Sequence, residues 1–129
     1  MKQVIFVSII LLVISGCGKE KCGSAACIID EWKLVEELID PGNGSGTFQP
    51  VSSNKKITFF SNGNYDSNGV TCTMENQAGP SSEGTFSSAN GTLSPESCPN
   101  MGIFYTLSTD TLILTYHCFE GCQQKYYRN

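Results

Sequence analysis

Seven cysteines in 129 residues carry most of the chemistry this chain can offer, and a single histidine, His117, stands beside one of them. Thiolates attack electrophiles, hold metals or pair as disulfides, and spacing separates these uses. No two cysteines are separated by the two residues of a zinc knuckle, and one histidine cannot complete such a set, so no metal site is expected. Setting Cys17 aside, the six others (Cys22, Cys27, Cys72, Cys98, Cys118 and Cys122) suit disulfides in an oxidising compartment. Cys22 and Cys27 enclose only Gly-Ser-Ala-Ala, which allows a local bridge. Cys118 and Cys122 flank Phe119-Glu120-Gly121, a three-residue turn with a glycine where a positive φ would be needed. If Leu112, Leu114 and Tyr116 point inward, period two sends Cys118 inward as well, with Cys122 opposite it. Cys72 would then pair with Cys98. Sequence alone leaves the other connectivities open.

The remaining reactive side chains do not assemble a catalytic site. A Cys118–His117 nucleophile pair requires a free thiol, which oxidation removes. Gly44-Ser45-Gly46 lacks the five-residue elbow of a serine hydrolase and reads as a flexible loop. Glu36 and Glu37 are neighbours, and neighbours on a strand point to opposite faces. Residues 40–47 contain oxygen ligands without the calcium-loop pattern. The chain is therefore expected not to be an enzyme and to carry no catalytic residues and no cofactor.

Cys17 belongs to a different chemistry. Lys2 precedes an apolar run from Val4 to Ile14, interrupted only by Ser8. That run is too short for a bilayer-spanning helix, which needs about 20 residues, but it matches the core of a signal peptide. It ends in Ile14-Ser15-Gly16-Cys17, which resembles the lipobox of bacterial lipoproteins. The resemblance implies cleavage before Cys17, a signal peptide over residues 1–16 and a diacylglycerol on the Cys17 sulfur. Two or three acyl chains anchor stably where one does not, since each buried CH₂ contributes about 0.8 kcal/mol. Residues 17–30 then form a lipidated tether, and residues 31–129 form the domain. The implied location is the bacterial outer membrane or cell envelope, periplasmic or surface-facing, with the membrane as a partner through palmitate-type acylation.

Composition narrows the rest. Eight Lys+Arg stand against twelve Asp+Glu, and charged residues make up only 16% of the chain. So acidic a balance leaves little from which to build a basic face, and nucleic acid is excluded as a partner. The length allows one domain.

The elements that must position these residues are short strands. Apolar runs at residues 32–39, 55–60, 64–73, 84–88, 91–93, 103–108, 111–117 and 123–128 alternate with Gly, Asn, Ser and Pro. That spacing predicts a sandwich or barrel. Residues 111–117 alternate most cleanly, with Leu112, Leu114 and Tyr116 on one face. Ser61-Asn62-Gly63-Asn64 and Ser108-Thr109-Asp110 read as turns, and residues 40–50 as an exposed loop joining the first two strands. In residues 32–39, Trp32, Val35, Leu38 and Ile39 also fit a helix face that Asp30 could cap.

Trp32-Lys33-Leu34-Val35-Glu36, the Pro-Gly-rich loop after it, and Lys56-Ile57-Thr58-Phe59-Phe60 with its glycine turn resemble the small lipocalin-like lipoproteins of bacteria. The ending Cys118-Phe119-Glu120-Gly121-Cys122, followed by a basic-aromatic strand, fits that resemblance. It covers most of residues 32–129, although Asp30 stands where lipocalins carry a glycine two positions before the tryptophan. The implied fold is all-β, a small antiparallel up-and-down barrel of about eight strands, with Arg128 stacked on Trp32. It turns residues 32–39 from helix to strand. The implied function is binding a small apolar ligand among Trp32, Phe59, Phe86, Leu112 and Leu114. The alternative is an envelope interaction or structural module with a filled barrel, no ligand and a protein partner that the sequence does not identify.

Cys17→Ser, or globomycin-type inhibition of the signal peptidase, is expected to leave an unprocessed precursor without acyl chains, read by mass spectrometry and membrane fractionation. Mature protein with unchanged membrane attachment in Cys17→Ser would overturn the lipoprotein reading.

Overall fold

The computed structural model describes residues 27–129. The expected signal peptide, Cys17, Cys22 and most of the expected tether lie outside them. Nine strands follow one another without a helix: β1 (Glu31–Ile39), β2 (Gln49–Pro50), β3 (Lys56–Phe59), β4 (Asn64–Ser67), β5 (Ser82–Ser87), β6 (Thr92–Pro95), β7 (Ile103–Leu107), β8 (Thr111–Tyr116) and β9 (Cys122–Arg128). Each pairs antiparallel with its neighbour in the order β2-β1-β3-β4-β5-β6-β7-β8-β9, and β1 also pairs with β9. That last pairing closes an eight-stranded barrel, with β2 as the additional strand beside the far half of β1. Closure leaves few unpaired backbone groups on the wall, which is how a small sheet avoids exposed edges.

Period-two alternation fills the interior. Trp32, Leu34, Ile57, Phe59, Tyr65, Leu93, Ile103, Leu112, Leu114 and Tyr126 are buried in one cluster. Residues 31–39 form a strand because inward Trp32 and Leu34 alternate with Lys33 and Val35, and β9 pairs with it on both sides of a bulge at Val35. Asp30 caps no helix. It pairs instead with Arg128, 2.7 Å away.

A bulge interrupts the alternation of β1. Leu34 faces Tyr126, Glu36 faces Lys125 and Glu37 faces Gln124, so Val35 is the extra residue. A one-residue insertion reverses which face the following side chains take. Glu36 therefore points outward to an ion pair with Lys125, while Glu37 turns toward the inward-facing Gln124.

The two ends of the barrel differ. Both termini of the described domain and the short turns at residues 60–63, 88–91 and 108–110 lie at one end. There Arg128 sits over the Trp32 ring at 4.5 Å, as the sequence resemblance implied, and donates to the carbonyls of Cys27 and Thr109. The Trp32 indole N–H donates to the Ile28 carbonyl at 2.8 Å. Ile28 is buried, so packing against the barrel begins before Glu31 and takes in residues expected to be tether. The turn after β3 forms as read, with Gly63 at φ 86°. The opposite end carries every long connection: residues 40–48, 51–55, 68–81, 96–102 and 117–121.

Three expectations need correction. The strand expected over residues 64–73 ends at Ser67, because residues 68–81 leave the wall as an irregular segment. Within the expected loop 40–50, Gln49 and Pro50 add a short strand opposite Glu37 and Glu36. Cys118 lies beyond the end of β8 and is exposed rather than inward, and Gly121 is not among the positive-φ glycines. Gly121 instead makes room for Leu38, since a Cβ there would come within 3.3 Å of its side chain.

Two bridges are formed among the described residues, Cys72–Cys98 and Cys118–Cys122. Cys27 is also disulfide-bonded. Both described bridges lie at the loop end, where strand pairing no longer holds the chain.

Gly84 is buried where β4, β5 and β6 meet, and a Cβ there would approach the Ser94 carbonyl oxygen to 2.4 Å and Pro95 Cα to 2.9 Å. Neither is a flexible side-chain tip. Gly84→Ala should therefore destabilise the fold by about 1–3 kcal/mol, measured by urea unfolding at neutral pH. An unchanged midpoint would show that the wall yields at this position.

Candidate functional site: a polar cluster at the loop end of the barrel

Above the apolar core, toward the long loops, the interior becomes polar. Lys55 directly precedes β3 and shares the inward face of Ile57 and Phe59 by period two, which makes its side chain fully buried. Gln124 is placed in the same way by Tyr126 on β9 and is also fully buried. The Gln124 carbonyl oxygen accepts from the Tyr116 and Tyr126 hydroxyls at 2.9 and 2.8 Å, and from the Lys55 ammonium at 3.4 Å. Its amide donates to Glu37 at 2.7 Å and to the Met74 carbonyl at 3.1 Å.

The irregular segment 68–81 lies across this cluster. Lys55 Nζ donates to the Glu75 carbonyl at 2.6 Å, and Asn76 donates to the second oxygen of Glu37 at 3.0 Å. The Ser53 hydroxyl donates to the Asn76 carbonyl. Each buried side-chain nitrogen and oxygen among the described residues has a hydrogen-bond partner. Complete satisfaction matters here because an unpaired polar atom in such a site costs about 1–3 kcal/mol.

Burial lowers the Lys55 amine from its ordinary value to about 8, with the Glu37 and Glu75 carboxylates opposing the shift. Burial also raises the tyrosines, Tyr65 to about 12 and Tyr116 and Tyr126 well above their ordinary value. The Lys55 amine thus releases its proton nearer neutral pH than an ordinary lysine does, and its hydrogen bonds hold a strap of the chain's own backbone.

The ligand candidates lie elsewhere in the barrel. Trp32, Phe59, Leu112 and Leu114 are fully buried side chains of one packed core. Phe86 is half-buried and meets the Phe59 ring edge-on at 5.2 Å. A groove of about 420 Å³ is present on the outer wall rather than in the interior, lined by Glu31, Lys56, Thr58, Asp66, Asn68 and Glu83 among others.

The other reactive residues stand apart. Cys118 is bonded to Cys122 and offers no thiol, while His117 is exposed with its ring 5.7 Å from Phe104. Asp40 receives the amide N–H groups of Gly42, Asn43, Gly44 and Gly46, led in effect by Gly46, and these hold its carboxyl below the usual range. Its oxygens thus order its own loop. Among the described residues, no group of three or more His, Cys, Asp or Glu side chains is placed to hold a metal. The chain matches no known protein family, no curated protein and no solved structure.

Lys55, Gln124 and Glu37 did not stand out in the sequence as site residues. The signal for the first two was their parity with Ile57, Phe59 and Tyr126, which sends a lysine and a glutamine inward. Glu37 gave no such signal, because only the bulge at Val35 turns it in.

The pH dependence of stability follows from these shifts. The unfolded chain binds a proton at Lys55 up to about pH 10.4, whereas the folded chain loses it near 8. Between those values the unfolded state holds more protons at Lys55, so this residue by itself should raise stability with pH, by about 2 kcal/mol from pH 8 to pH 10, partly offset toward pH 10 by the buried tyrosines. Above pH 10 the buried tyrosines keep protons that the unfolded chain releases, and stability should fall. Lys55→Met is expected to abolish the rise and keep the fall, as followed by urea midpoints across the pH range. A rise retained in Lys55→Met would assign it to another group.

Proposed function

We propose that this protein is a lipid-anchored lipoprotein of the bacterial cell envelope whose lipocalin-like barrel is a solid scaffold presenting its loops to a protein partner. The filled interior carries this reading. The residues that would line an apolar ligand site are packed against one another, and the loop end above them is closed by the cluster of Lys55, Gln124 and Glu37. A small apolar ligand would have to displace this core and this strap together. Side chains commonly fill the interior of an eight-stranded barrel. The closed barrel and the Arg128–Trp32 stack support the lipocalin-like resemblance, and the sequence Ile14-Ser15-Gly16-Cys17 supports the anchor. No catalytic role is proposed.

Native mass spectrometry of the full chain purified from its membrane is the test. The spectrum should show the protein with its covalent acyl chains and no additional lipid or apolar molecule. A stoichiometric co-purifying ligand lost on substituting Leu112 or Leu114 would overturn the filled-barrel reading in favour of ligand binding.

A further inference from the structure

One arc of the loop end, from the start of β7 through the β8–β9 turn to the end of β1, exposes apolar side chains. Ile39 ends β1 and is 67% exposed, and Phe119 is fully exposed at the tip of the turn between β8 and β9. Met101 precedes β7, and Phe104 on β7 meets His117 edge-on. These strands run in the order β7-β8-β9-β1, so the four residues follow one another along the rim. Phe119 is held out by a braced turn: the Cys118–Cys122 bridge closes it, and the Asp40 amide donates to the Gly121 carbonyl. A rigid, exposed aromatic makes a strong anchor, because little freedom is lost when it is buried.

The charges around this arc have one sign. Connections 40–48, 68–81, 96–102 and 117–121 contain Asp40, Glu75, Glu96 and Glu120 and not one lysine or arginine. The Glu120 carboxylate lies against Gly42, beside Asp40. Of the nearby cations, Lys55 is buried and Lys125 is engaged by Glu36 and the Phe48 ring. Like charge disfavours a second copy of this end and an anionic lipid surface. The described chain begins at the opposite end of the barrel, so an anchor at Cys17 turns this arc away from the membrane.

We propose that the arc Ile39, Met101, Phe104 and Phe119 is a docking surface for a protein segment whose apolar side chains are flanked by lysine or arginine. The outward direction of the arc rests on the anchored reading above. The chemistry of the contact does not.

The test uses the full processed chain in nanodiscs of zwitterionic lipid, titrated with a fluorescent synthetic peptide of alternating leucine and lysine. Two control peptides replace its lysines with glutamate or its leucines with serine. Binding should be specific to the leucine–lysine peptide, should weaken with salt, and should fall at least tenfold in Phe119→Ser and in Glu120→Lys. Both substitutions are at exposed positions outside the core. Tyr127→Ser, at an exposed apolar residue on the outer wall, should leave binding unchanged. Equal binding by Phe119→Ser, or equal binding of the glutamate peptide, would overturn the proposal. So would Phe119-dependent capture of phosphatidylglycerol vesicles or Phe119-dependent self-association. Mass spectrometry of the same sample reads the acylation at Cys17, so failure of the anchor is seen separately from failure of the docking surface.

Discussion

The pairing of β1 with β9 is the constraint on which the rest depends. It joins the two ends of the described chain, converts a meander into a closed wall and places Trp32 beneath Arg128. Pairing the first strand with the last closes a long loop, so the contact is entropically expensive and must be strongly favoured locally. Several interactions converge there: the Asp30–Arg128 and Glu36–Lys125 ion pairs, the indole bond to Ile28 and the carbonyls that receive Arg128. The bulge at Val35 lies in the same seam and selects which of two neighbouring glutamates enters the barrel.

That selection makes the polar cluster self-consistent. A buried lysine without partners would be strongly destabilising. Here its amine meets the Glu75 carbonyl and the Gln124 oxygen, and Glu37 is brought to the other side of the Gln124 amide. Were the alternation of β1 unbroken, Glu36 would face inward instead, and Lys125 would lose its partner. The segment 68–81 is held down by the same groups, which lets an irregular stretch cover the barrel mouth without orphaned polar atoms.

Short turns at one end and long loops at the other divide the labour of the molecule. The turn end gathers the termini and the Arg128 contacts. At the loop end, the Cys72–Cys98 bridge ties segment 68–81 to connection 96–102, and the Cys118–Cys122 bridge braces the last hairpin. These two bridges lie where strand pairing stops, and the second of them holds the exposed aromatic at the tip. A scaffold of this form can vary its loops without disturbing the closed wall.

Much of the wall was legible in the sequence. Strict alternation in residues 111–117 and the turn signals at Asn62-Gly63 and Ser108-Thr109-Asp110 determine local geometry by themselves, because side-chain period and glycine freedom are properties of a few consecutive residues. The local Cys118–Cys122 bridge forms as expected but not for the reason read, since Cys118 lies exposed beyond β8 and Gly121 takes no positive φ. For residues 32–39, alternation and a helix face were both consistent with the sequence, and the lipocalin-like resemblance rather than the pattern chose the strand. The closed seam accounts for it physically, since only a partner distant in sequence can satisfy an extended backbone there. The early end of β4 at Ser67, the inward turn of Glu37 and the burial of Lys55 beneath Glu75 were decided only in the tertiary structure. Each depends on a group that neighbours along the chain do not supply: a bulge set against β9, or a carbonyl delivered by a segment twenty residues away. Local sequence determines which way a side chain alternates, and long-range pairing determines what it meets when it gets there.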